Sequence, residues 1–153
     1  MCTVGEALAE QYYERAIFNS IRQWSPTISD ANIDRFLHAT GSKVAYNGTQ
    51  EQIILQKWVS LFLQGFESWC DYRRTGYPKL PIGPGCDNEG VMPTRLCYPQ
   101  TLISTNSSNY QKQVARMRAA YPIVGRGTVG GDNMLTPVWW SKRAVELEKG
   151  AVN

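Results

Sequence analysis

The chain has 153 residues, 42% of them hydrophobic, and sixteen Lys and Arg against thirteen Asp and Glu give a net charge of +3. That apolar share can bury a core in one modest domain, which excludes disorder throughout. The charge is small and the basic residues are scattered, close together only at Arg73-Arg74, Lys112/Arg116/Arg118 and Lys142-Arg143, which excludes a nucleic-acid stripe.

Leu8, Tyr12, Tyr13, Ala16, Ile17 and Ile21 recur at three- and four-residue intervals and predict a first helix from about Val4 to Gln23. Pro26 stops a clean continuation. "SPTISD" then offers Ser29 or Asp30 as the N-cap of a second, short helix carrying Ile33, Phe36 and Leu37. Gly41 suits the left-handed position that ends it.

After the turn "YNGT", Thr49 and Gln52 have capping-box spacing, so the Thr hydroxyl satisfies one backbone N–H and the Gln side chain reaches back to another. A long third helix is expected to begin here. Its two stripes are Ile54, Trp58, Leu61, Phe62, Gly65 and Trp69, and Leu55, Val59, Phe62, Phe66 and Cys70. So wide an apolar surface assigns Trp58, Leu61, Phe62, Phe66 and Trp69 to the interior. Gly65 costs roughly 1 kcal/mol of helix propensity relative to Ala and reads as a close helix crossing. The "RRTGYP" end reads as a helix stop whose arginines anchor the following loop.

Beyond Tyr77-Pro78, "PKLPIGPGCDNEGVMPTRLCYPQ" has prolines that remove backbone donors and glycines that loosen the chain, so a long irregular loop is expected. Such loops are functional or wrap against another part of the protein. A helix returns from Asn109 to Tyr121, capped by Ser107 or Ser108, before "GRGTVGGD" leads to Thr136-Pro137-Val138-Trp139-Trp140; the tail after Lys142 should fray. The whole, 1–153, reads as one segment that is helical over 4–72, loop-rich with one helix over 73–140, and tail over 141–153. Trp58-x-x-Leu61 is similar to the opening of a tetratricopeptide repeat, but no second copy follows at that repeat's period of about 34 residues.

The richest apolar run, Ile53 to Phe66, is interrupted by Gln56, Lys57, Ser60 and Gln64, so no transmembrane helix is predicted. "MCTVGEALAEQ" lacks the basic and apolar regions of a secretory signal. Cys2, Cys70, Cys86 and Cys97 show no C-x-x-C spacing, and His38 is the sole histidine, so neither a metal nor another cofactor is expected. Cys86 and Cys97 could pair in an oxidising compartment, with separate thiols as the default. His38 is also the sole imidazole base for any cysteine nucleophile; the plainer reading makes Cys70 a small buried hydrophobe and leaves His38 on an exposed helix. Glu67 and Asp71 share a helix face at four-residue spacing, but nearby Arg73 and Arg74 favour ion pairing over acid catalysis. Asp87, Asn88 and Glu89 in "CDNEG" offer oxygen ligands without the EF-hand pattern, and "GRGTVGG" has no flanking strand or lysine-bearing helix to make a phosphate loop. Asn47-Gly-Thr49 and Asn106-Ser-Ser108 fit a glycosylation acceptor in a eukaryotic secretory setting and otherwise read as a turn and a helix cap. Trp24, Trp58, Trp69, Trp139, Trp140 and the eight tyrosines could stack on sugars. Trp58 and Trp69 read as core, while adjacent Trp139 and Trp140 point opposite ways in an extended segment, one buried and one exposed.

Three stretches, "VAYNGTQEQIILQKWVSLFLQGFESWCDYRRTGYPKL", "MPTRLCYPQTLISTNSSNYQKQVARM" and "GGDNMLTPVWW", lie in an order and spacing that resembles the C-terminal part of the SusD/RagB family. Gln56-Lys57-Trp58, Tyr72 to Pro78, Pro93 with Arg95, Tyr98-Pro99 and Asn109-Tyr110 carry the resemblance, which extends from about Tyr12 to Trp140. It implies a mainly α, tetratricopeptide-like helical scaffold with long irregular loops. The implied role is that of an outer-membrane lipoprotein that is not an enzyme, holding a glycan or other nutrient over a SusC-like TonB-dependent transporter. Family members are much longer and carry a signal peptide and a lipidated cysteine, so the chain is expected to be a C-terminal portion, with the lipid anchor outside it and Cys2 not the lipidated residue. No ligand-contacting residue carries over. The competing reading is a helical adaptor that binds protein partners through an exposed apolar face, and a chain cut from its packing partners would show apolar surface and associate.

Overall fold

The computed structural model describes residues 5–83, 85, 91–124 and 127–142, so the tail after Lys142, expected to fray, lies outside the described residues. Six helices follow in order: α1 Glu6–Trp24, α2 Asp30–His38, α3 Gln50–Ser60, α4 Gly65–Thr75, α5 Gln100–Thr105 and α6 Ser107–Ala120. No strand occurs among the described residues, and the fold is mainly α with long irregular connections, as expected. Two compact units divide the chain at Tyr72/Arg73, inside α4.

In the first unit α1 packs on α2 and α3. The α1 periodicity brings Tyr13 and Ile17 against Ile33 and Leu37 of α2, and Phe18, Ile21, Ile28, Val44 and Tyr46 close around them. Phe36, expected on the same face, is instead half exposed and faces a groove lined by residues of α1 and α3. Ser29 caps α2 by accepting from the Asn32 N–H at 3.4 Å, and Arg22 closes the preceding turn by donating to the Pro26 carbonyl at 2.8 Å and pairing with Asp30. Gly41 is left-handed at φ 77°, three residues past the end of α2 rather than at its cap.

Tyr13 ties α1 to the loop before α3. Its hydroxyl donates to the Val44 carbonyl at 2.7 Å, its ring lies 5.3 Å from that of Tyr46, and burial pushes its pKa up to about 12. The capping box forms only on one side. The Gln52 N–H donates to Thr49 Oγ1 at 3.3 Å, but the buried Gln52 side chain bypasses Thr49, accepting from the Asn47 N–H at 2.8 Å and donating to the Lys43 and Ala45 carbonyls. Asn47 Oδ1 takes over the Thr49 N–H at 3.0 Å, which makes Asn47-Gly-Thr49 a side-chain-closed turn.

The single long third helix predicted from Thr49 is two helices. The chain turns over residues 61–64, with Leu63 left-handed at φ 71° and the Gln64 N–H on the Leu61 carbonyl at 2.7 Å. Ser60 Oγ captures the Lys57 carbonyl at 2.7 Å, a side-chain bond that competes with the helical ladder, and Gly65 adds its low propensity. Lys57 Nζ on α3 then reaches Glu67 at 2.9 Å and Asp71 at 2.6 Å on α4. In an unbroken helix Lys57 and Asp71 would stand about 21 Å apart along the axis, at about 1.5 Å per residue, beyond any lysine. A left-handed Leu costs roughly 1–2 kcal/mol, and this two-carboxylate grip on one ammonium helps hold the turn. The turn also overturns two further expectations. Nothing lies within 4 Å of a Cβ built on Gly65, so it marks no helix crossing. Phe62 and Phe66 are 64% and 82% exposed and Trp58 is exposed as well; only Leu61 and Trp69 are half-buried, because the break rotates the stripe away from one common face.

The second unit is mostly irregular backbone held by side chains. α5 was not anticipated; Pro99 at its N-cap introduces it, and Asn106 is at once its C-cap and the N-cap of α6. α6 therefore begins at Ser107, two residues before the expected start, and neither Ser107 nor Ser108 is its cap. Tyr121, Val124, Leu135 and Val91 form the core beyond it.

A polar clasp joins the "MPTRLCYP" and "GGDNMLTP" stretches. Arg95 is 8% exposed and donates to the Gly131 carbonyl at 3.2 Å while pairing with Asp132 Oδ1 at 3.1 Å. Asp132 also accepts from the Tyr98 N–H at 3.0 Å and the Tyr110 hydroxyl at 3.2 Å. Thr94 donates to the Met134 carbonyl through both N–H and Oγ1 at 2.8 Å. Asn133 Oδ1 accepts from the N–H groups of Leu135 and Thr136. Gly130 is fixed by closeness, since a Cβ there would stand 1.9 Å from the Tyr121 carbonyl oxygen. Arg73 also anchors this region, as expected of the helix-stop arginines, donating to the Thr94 carbonyl at 3.3 Å.

Arg95→Ala should destabilise the second unit by about 3–5 kcal/mol, because it strands the Asp132 carboxylate, and Gly130→Ala by about 1–3 kcal/mol through overpacking. Urea unfolding monitored by circular dichroism checks both, and midpoints equal to wild type would refute the clasp.

Candidate functional site

The sequence-suggested catalytic groups are occupied structurally. His38 is exposed on α2, with Nε2 2.8 Å from Glu14 Oε1 and Nδ1 3.1 Å from Asp34 Oδ1, so both ring nitrogens face carboxylates rather than a thiol. The Glu14 hydrogen bond, then Asp34, raises the His38 pKa above its ordinary 6.5. Cys70 is half-buried on α4 and Cys97 is exposed, while Cys2 and Cys86 lie outside the described residues. Glu67 and Asp71 are ion-paired, with Lys57 as their shared partner in addition to any role of the neighbouring arginines. The Asp71 bond, then that of Glu67, raises the Lys57 pKa.

Asp87, Asn88 and Glu89 lie outside the described residues, as do Gly125 and Arg126 of "GRGTVGG". Among the described residues no group of three or more His, Cys, Asp or Glu could hold a metal ion, and no helix is long and apolar enough to cross a membrane. Asn106 serves as a helix cap residue by its backbone. Trp24 is exposed and meets Phe62 edge-on at 5.7 Å.

Among the described residues a concavity stands in each unit, and the two differ in chemistry. The first is a groove of about 530 Å³ along α1 and α3, lined chiefly by Tyr12, Ala16, Ile21, Phe36, Ile53 and Val59. It is apolar. The second is a cleft of about 450 Å³ framed by Arg95, Tyr98, Gln113, Arg116, Tyr121 and Trp139. α6 supplies Gln113 and Arg116 from one face at i, i+3 spacing. The clasp supplies Arg95 and Tyr98, with the Arg95 guanidinium 4.8 Å from the Tyr98 ring centroid and that ring set edge-on to Tyr110 at 6.0 Å. Burial, then the charge of Asp132, raises the Tyr110 pKa.

Trp139 stands on the rim with 83% of its surface exposed. Trp140 is 39% exposed and lies under the Arg73 guanidinium at 4.8 Å. Both rings are thus solvent-accessible, and the expected buried/exposed alternation fails because Val138 to Ser141 is a turn, not a strand, closed by the Ser141 N–H on the Val138 carbonyl at 2.9 Å. The cleft was not visible in the sequence. Its residues come from three separated segments, and the pieces "TRLCYP" and "TPVWW" carry no spacing that links them.

These features define a class: a mainly α protein whose irregular segments are pinned by polar ties and whose second unit carries a mixed aromatic and polar cleft. The chain belongs to the SusD-like family, whose sequence model, described as "Starch-binding associating with outer membrane", matches residues 3–99. Among solved structures, a chitin-binding protein is similar at 32% identity and TM-score 0.65 over 87% of this chain and 28% of its own. A Bacteroidetes AC2a SusD-like protein is similar at 25% identity and TM-score 0.66, over 91% of this chain and 26% of its own. The chain thus spans little more than a quarter of the length of either structure. No curated protein matches it.

Because the folded-state pKa of His38 is raised, its contribution to stability is complete below 6.5 and is lost as pH rises through the folded value. An NMR titration should place His38 above 6.5, and Glu14→Gln should lower it; an unchanged value in the variant would remove the Glu14 contact as cause.

Proposed function

We propose that this chain is part of a non-catalytic glycan-binding protein of the outer-membrane surface, one that holds an oligosaccharide or other nutrient for a SusC-like TonB-dependent transporter. The observation that carries the reading is the 32% identity to a chitin-binding protein over 87% of the chain, joined to a family described by starch binding and outer-membrane association. Attachment to the membrane would come from a lipid anchor carried by the longer protein. The longer protein should bind starch- or chitin-derived oligosaccharides in calorimetry and co-purify with a TonB-dependent transporter from outer membranes. A protein that binds no glycan and brings down no transporter would sink the reading.

A second reading, a helical adaptor for protein partners, draws on the apolar groove of the first unit. Exposed large hydrophobics along a helix pair are the surface such partners use. Co-purification of a soluble protein with the chain, lost on Val59→Lys at the groove and unaffected by oligosaccharide, would favour it over the first.

A further inference from the structure

We propose that the cleft between α6 and the Val138–Ser141 turn is a sugar-ring subsite, with Trp139 as the stacking face and Arg116 and Gln113 as donors to the ring's hydroxyl edge. This deepens the glycan-binding reading and rests on it. The ligand class is a pyranose: one face presents C–H groups and the perimeter presents hydroxyls. A complementary site needs a flat apolar surface beside a few placed polar groups, in a concavity of about 300–1,000 Å³. The cleft has that composition and a volume of about 450 Å³.

Its geometry is held from behind. Thr136 and Ser141, on either side of the two tryptophans, are fully buried, and Pro137 is buried too. The indole is therefore displayed from a short turn with fixed ends, so little freedom remains to be lost when a ligand stacks on it. The opposite wall is equally constrained. Arg95 is spoken for by Asp132 and the Gly131 carbonyl, and it serves to fix Tyr98 rather than to meet a ligand. Arg116 has no ion-pair partner among the described residues and lies exposed on the rim, leaving its fork of donors available.

Exposure of an aromatic does not single out this place, because Phe66 is as exposed. The distinguishing observation is the pairing of an exposed indole with unpaired donors in one concavity. The groove of the first unit has no indole in its lining, which is mainly apolar and suits a protein face.

The test is titration of the 153-residue chain with chitohexaose and with maltohexaose, read by calorimetry and tryptophan fluorescence. Trp139→Ala should weaken binding by about tenfold or more, the scale of losing one stacked ring. Arg116→Ala should weaken it severalfold, and Trp24→Ala, in the first unit, should leave it unchanged. The two sugars separate a β-linked from an α-linked ligand. Full binding by a folded Trp139→Ala and a folded Arg116→Ala would overturn the subsite while leaving the glycan reading standing. Absence of binding to either sugar by the wild-type chain would overturn both for this chain. Should Trp139→Ala misfold by circular dichroism, Arg116→Ala and Gln113→Ala decide the matter.

Discussion

The second unit depends on one buried guanidinium and one carboxylate. Irregular backbone cannot satisfy its own donors and acceptors as helices do, and here the Arg95–Asp132 pair and its neighbours do so instead. A buried ion pair is weak grounds for net stability, since desolvation offsets much of the attraction. Its effect is on position: Asp132 simultaneously fixes the Tyr98 backbone and the Tyr110 hydroxyl, and so determines where the cleft wall stands relative to α6. Gly130 is the complementary constraint, letting the chain pass against the Tyr121 carbonyl where no side chain fits.

Much of the first unit was legible, because its determinants are local. The 3.6-residue periodicity of α1, the Ser29 cap and the left-handed Gly41 all act within a turn or two of themselves. Family membership was legible for a different reason: several stretches recur in a fixed order. What those stretches do physically was not. Thr94, Arg95 and Tyr98 look like separate markers until Gly131 to Thr136 is seen to supply their partners. The continuous helix from Thr49 was misread because apolar periodicity ran on through residues 61–64, and periodicity reports side-chain type, not whether the backbone ladder survives. The deciding contacts were a serine hydroxyl on a carbonyl and a lysine reaching two carboxylates more than two turns away in sequence. Pattern counting does not weigh these.

The same turn explains why so many apolar rings face water. A straight helix would have placed Trp58, Phe62 and Phe66 in register along neighbouring stripes, whereas the left-handed Leu63 sends the two halves in different directions. Hydrophobic surface in the first unit thus collects around the α1–α3 groove and the turn, while the second unit exposes its largest ring, Trp139, beside polar groups. One chain therefore carries two surfaces suited to different chemistry.

The clasp also bears on the order in which the molecule can assemble. The bonds that join its two stretches span 34 to 42 positions along the chain, whereas the tie of Arg22 on α1 to Asp30 on α2 and those of Gln52 to its loop span fewer than ten. Closing longer loops costs more entropy before any contact repays it. A ribosome reading from the N-terminus has therefore made nearly the whole described chain before Arg95 meets its carboxylate. Until Asp132 emerges, the Arg95 guanidinium must stay hydrated, so the ties between the 91–99 segment and Gly131 to Thr136 close late.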